Sequence, residues 1–107
     1  LDEIVDEVRL AADDVAERMT AIQAIPDGRA ATVAADSQVE PIDGGVLPTD
    51  KATVMIQERL EGVANRIKAT LDEVDEYDHL SNDMLIGIAT GLEKHAWMLR
   101  VSAEEQA

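Results

Sequence analysis

Along three long stretches of this chain the apolar residues recur three and four apart, and the gaps between the stretches are unequal. The first set is Leu1, Ile4, Val5, Val8, Ala11, Ala12, Val15, Ala16, Met19 and Ile22, and it predicts a helix over residues 1–24 that Pro26, Asp27 and Gly28 end. A second face, Ile56, Leu60, Val63, Ile67, Leu71 and Val74, predicts a helix over 50–75 with Thr49 or Asp50 as its cap. The third, Met84, Leu85, Ile88, Ala89, Leu92, Ala96, Met98 and Leu99, predicts a helix over 82–103, with Ser81 as N-cap and Leu80 and Leu85 as a hydrophobic staple. An acidic turn of about six residues, Asp75 to Leu80, makes the second and third helices antiparallel neighbours. The first and second are separated by a crossover over 25–49 that holds all three prolines, with a short helical turn expected at Arg29 to Ala35. A 24-residue helix is about 36 Å long, so a connector of about 23 residues can span it and return the next helix parallel to the first. The fold class is therefore all-α, with one long crossover.

Composition agrees. The chain has no Phe, one Trp and one Tyr, so its core must be built from Leu, Ile, Val, Met and Ala, which suits helix packing. Nine basic residues against twenty-three acidic ones leave a formal charge of −14, a field that repels nucleic acid and acidic membrane surfaces and concentrates cations. No apolar run approaches the roughly 20 residues of a membrane span. The absence of cysteine removes disulfides and thiolate metal sites and fits a cytoplasmic protein. Leu1 is not an initiator Met, and the apolar register is complete from that residue with no cap before it. The chain is thus expected to begin inside, or at the edge of, an element with a neighbour upstream.

Function is carried by a strip of the first helix. Asp2, Asp6, Asp13 and Glu17 fall within about 60° of its circumference. Carboxylates four apart on one helix repel each other, and a solvated face has no need of the arrangement. Hard cations, which prefer oxygen ligands, are the simplest counter-charge. Asp2 and Asp13 lie about 16 Å apart on one helix, too far to share an ion. Two copies packed antiparallel about a two-fold axis near residue 8 or 9 bring Asp2 of one to Asp13 and Glu17 of the other. That makes two equivalent three-carboxylate sites about 20 Å apart.

Four segments carry a family resemblance: Leu1-Asp2-Glu3, Asp13-Asp14-Val15-Ala16-Glu17-Arg18-Met19, Ile25-Pro26-Asp27-Gly28-Arg29, and Gly91-Leu92-Glu93-Lys94-His95-Ala96-Trp97. They resemble the Dps family of mini-ferritins, "DNA-binding proteins from starved cells", over essentially the whole chain and about the last two-thirds of the family's domain. The resemblance implies a ferritin-like four-helix bundle subunit, of which three helices are present here, assembled into a hollow dodecamer. It implies a cytoplasmic ferroxidase that takes Fe(II) with hydrogen peroxide or O2 as oxidant, stores Fe(III) inside and limits oxidative damage under stress. In that family the iron site lies across a two-fold dimer, with two His and an Asp from one subunit and an Asp and a Glu from the other. By motif, Asp2 resembles the first Asp, and Asp13 and Glu17 resemble the second pair; both His fall upstream of Leu1. Asp78 and Asp83 fall where the family forms a negatively charged three-fold pore.

The remaining residues read more plainly. Asp6 lies on the strip but matches no ligand of the family, so it is an auxiliary cation contact at most. Arg18 is expected in a salt bridge beside Glu17, Trp97 in packing, and His79 and His95 at the surface or in structural roles. Two other functions stay open: a DNA-condensing nucleoid protein, disfavoured by charge, and a helical interaction module without metal chemistry.

Overall fold

The computed structural model describes residues 1–106, which form α1 (Asp2–Ala21), α2 (Ala30–Asp36), α3 (Thr49–Tyr77) and α4 (His79–Gln106), with no strand among them. α1, α3 and α4 are the three long helices read from the sequence, and α2 is the short helix expected in the crossover. The chain divides into two compact units, Leu1–Gln38 and the residues from Val39 onward.

In the first unit, α1 places Asp2 and Glu3 in its first turn and Arg18 in its last, each where the helix dipole favours its charge. It ends at Ala21, before the expected residue 24, because Gln23 adopts φ 70°. The Gln23 N–H donates to the Thr20 carbonyl at 3.0 Å and the Ala24 N–H to the Met19 carbonyl at 2.8 Å, the paired bonds of a Schellman stop. Glycine is the usual residue at that left-handed position, so a glutamine there gives no signal in the sequence. Ahead of α2, Asp27 gathers four donors. Its Oδ1 accepts from the Arg29 N–H and Nε, both at 3.0 Å. Its Oδ2 accepts from Arg29 Nη2 at 2.8 Å and Thr32 Oγ1 at 2.9 Å. The Arg29 side chain, then the Arg29 N–H and the Thr32 hydroxyl, hold the Asp27 carboxyl down at about 2.

In the second unit, α3 and α4 pack as an antiparallel hairpin. Leu60 and Ala64 of α3 are buried with Ala89, Leu92 and Ala96 of α4. Three of the five are alanines, and Ala64 is 0% exposed, so the two backbones can approach closely and the leucines fill the space beside them. Lys68 Nζ meets Glu93 Oε2 at 3.0 Å across the hairpin, an exposed pair that marks the register more than it adds stability.

The hairpin's corner is tighter than the expected six-residue turn: only Asp78 separates the helices. Ser81 is not the N-cap. Asp78 is, its Oδ2 accepting from the Ser81 N–H at 3.2 Å and also from the Ser81 hydroxyl. Ser81 is therefore the third residue of α4, buried and bound back to the cap. A carboxylate satisfies the helix's free N–H groups and its dipole together, which is why Asp78 displaces the serine three residues later. The staple fails with it, since Leu80 is exposed. At the other end, Pro48, with φ −56°, is the N-cap of α3 in place of Thr49 or Asp50, and no side chain caps that end. The crossover's second half is fastened by Arg59. Its guanidinium donates to the carbonyls of Glu40 at 3.0 Å, Pro41 at 2.8 Å and Met55 at 3.1 Å.

Candidate metal centre

α1 carries all four carboxylates of the strip, and Asp2, Asp6, Asp13 and Glu17 are all exposed. Asp13 and Glu17 sit one turn apart, which places their Cβ atoms about 5–6 Å from each other, close enough for both carboxylates to close on one ion. Asp2 belongs to the first turn, about 16 Å along the axis from Asp13. Among the described residues no three His, Cys, Asp or Glu side chains converge as a metal site. One chain therefore brings together a pair of oxygen ligands and holds a third on the same strip, out of reach. An all-carboxylate donor set suits a hard, oxygen-seeking cation.

The strip also holds a positive charge that sequence reasoning missed. Arg9 lies about 20° from Asp2 around the helix, on the side away from Glu17, near the middle of the strip's length. The helical wheel that located the carboxylates would have found it.

Asp78 and Asp83, matched to the family's pore, stand apart on one chain. Asp78 is engaged as the cap of α4, and Asp83, five residues on, lies about 140° further round the helix and is exposed. His79 is at the surface, as expected, with Nδ1 2.7 Å from Asp75 Oδ1 across the corner. The hydrogen bond to Asp75, then the charges of Asp75 and Asp78, raise its pKa above the ordinary imidazole value. Trp97, expected in packing, is 53% exposed. It flanks an open cleft of about 210 Å3 with Glu61, Asn65, Glu93 and Arg100. No helix of the described residues is long and apolar enough to cross a membrane.

Comparison with known proteins places these features. Residues 1–105 match the ferritin-like domain family. The chain is 34% identical over 89 residues to "DNA protection during starvation protein 2" of Deinococcus radiodurans, a match covering 83% of this chain and 37% of that protein. Against the "DNA protection during starvation protein" of Brevibacillus brevis, identity is 29% over 93 residues, covering 86% of this chain and 62% of that one. The crystal structure of Dps92 from Deinococcus radiodurans superposes with a TM-score of 0.89 at 30% identity, over 94% of this chain and 61% of that one. The chain thus spans less than two-thirds of the length of each of these proteins.

Proposed function

The chain belongs to the Dps family of ferritin-like proteins, and on that premise we propose that it forms part of a mini-ferritin subunit that oxidises Fe(II) and stores Fe(III). Asp13 and Glu17 of one copy, with Asp2 of a second, bind the substrate iron at each of two sites related by a two-fold axis. The observation that carries this reading is the division of the strip into a ligand pair and a distant third carboxylate. That division is useless within one chain and complementary between two.

The chemistry asked of these residues is simple. Carboxylates hold Fe(II) close to the oxidant. Hydrogen peroxide takes one electron from each of two ions and leaves as two hydroxides, and O2 is the alternative oxidant. Fe(III), harder and more strongly hydrolysed, then leaves for the interior of the assembly as mineral. The protein supplies oxygen ligands and an anionic field, while the ion itself is what is oxidised. A dodecameric shell in the cytoplasm, protecting the cell under oxidative stress, completes the proposal, with Asp83 and the Asp78 corner on the anionic route inward.

Stopped-flow Fe(II) oxidation by the assembled full chain tests it. Asp13→Ala with Glu17→Ala should remove the fast phase and leave assembly intact; an unchanged rate rejects the assignment. Direct DNA binding is the weaker reading, because a chain at −14 offers phosphate a repulsive surface. Retardation of DNA by the 107 residues alone at low salt would reverse that order.

A further inference from the structure

The metal reading leaves two residues of the α1 strip without a role, Asp6 and Arg9. Arg9 is the only basic residue before Arg18, set among seven acidic ones. It is exposed, and among the described residues its side chain makes no hydrogen bond or ion pair. Its own Asp6, three residues before, and Asp13, four after, stand at the usual intrahelical spacings, yet among the described residues neither pairs with it.

The two-fold axis that brings Asp2 to the partner's Asp13 and Glu17 passes near residue 8 or 9. Arg9 then lies within about one residue's rise of that axis, with the partner's Arg9 equally near it on the other side. The partner's Asp6 comes level with residue 11, about 3 Å along the axis from Arg9. Packed helices lie about 8–10 Å apart, a gap that an arginine from one side and an aspartate from the other close between them. Because a two-fold interface is isologous, the contact occurs twice.

Resting on the two-copy reading of α1 above, we infer that Arg9 of each copy pairs with the partner's Asp6, a reciprocal ionic lock between the two metal sites. The lock counters the repulsion of two acidic strips before any cation arrives. It also biases register: sliding one helix by a turn of about 5.4 Å in the direction that lengthens the offset takes both pairs from about 3 Å to about 8 Å apart along the axis, and Asp2 equally far from the partner's Asp13. Arg9 and Asp6 are thus positioning residues, touching neither iron nor oxidant.

A mixing experiment separates this lock from an intrahelical Asp6–Arg9 pair. The full chain is prepared as Asp6→Lys and, separately, as Arg9→Glu, and association is measured by sedimentation velocity and native mass spectrometry. Each variant alone places like charges across the axis and should associate at least tenfold more weakly. An equimolar mixture should recover association as hetero-pairs, since each copy then meets its complement; an intrahelical pair predicts no such recovery. Circular dichroism reports folding. If the swaps lose helix, Arg9→Gln and Asp6→Asn take their place and should weaken association severalfold.

The chain has no cysteine, so Asp2→Cys with Asp13→Cys and a short thiol cross-linker reports the underlying pairing separately. Cross-linking together with a mixture no more associated than its parts, or with unweakened variants, overturns the lock and keeps the two-copy reading. Absence of cross-linking overturns both.

Discussion

The α3–α4 hairpin and the helix α1 use the same periodicity for different ends. In the hairpin, Leu60 and Ala64 face Ala89, Leu92 and Ala96, all buried within one unit of the chain. In α1 only Ile4 is buried, while Val5, Val8 and Leu10 are exposed beside a strip of carboxylates. The hairpin's sequence is spent on closing upon itself, whereas α1 presents groups that a single chain cannot satisfy. Mutations should therefore separate, with stability residing in α3–α4 and chemistry in α1.

Leu92→Ala gives the largest expected effect on stability. It removes a buried leucine between alanines that cannot collapse inward, and should cost about 2–4 kcal/mol in urea unfolding. As long as the fold persists, the iron binding proposed for α1 should hold; a parallel loss would break the separation. Asp78→Ala comes next, at about 1 kcal/mol, because it removes the cap that accepts from Ser81 and leaves that N–H without its partner. Serine at position 78 should restore most of the loss, as another capping oxygen.

Much of this was legible in the sequence. The three long helices, the antiparallel hairpin and the family follow from apolar spacing, loop length and motif. The misplaced details have separate causes: two good capping residues competed at the corner, and a left-handed turn fell to a residue other than glycine. Asp78 caps where Ser81 was expected, and Gln23 takes the left-handed turn that glycine normally marks. Arg59 fastens the crossover through backbone carbonyls, a contact 18 and 19 residues distant that leaves no trace in local pattern. For the candidate site, the wheel exposed the carboxylates because like charges in register are costly. Arg9 was overlooked because one basic residue among seven acidic ones reads as noise until a second copy is considered.

Smaller effects belong to the first unit. Gln23→Gly relieves a left-handed residue at the end of α1, and should raise that helix's stability by about 0.5–1 kcal/mol, read as slower amide exchange at Ile22 to Ala24. The smallest is a pH effect confined to α2. Asp27, held down at about 2, has a folded value below its ordinary 3.8. Its contribution is therefore fully present above that ordinary value and is lost as pH falls through about 2. Asp27→Asn should abolish this acid dependence of α2 exchange and leave that of α3 and α4 unaltered.

The most direct test of the central claim is a structure of the assembled full-length particle soaked with Fe(II) or a Zn(II) surrogate. Anomalous density is expected between Asp13 and Glu17 of one copy and the partner's Asp2, repeated by a two-fold axis at a second site about 20 Å from the first in the helix direction. Metal held elsewhere, with Asp13 and Glu17 turned to bulk water and no second α1 opposite them, would contradict it.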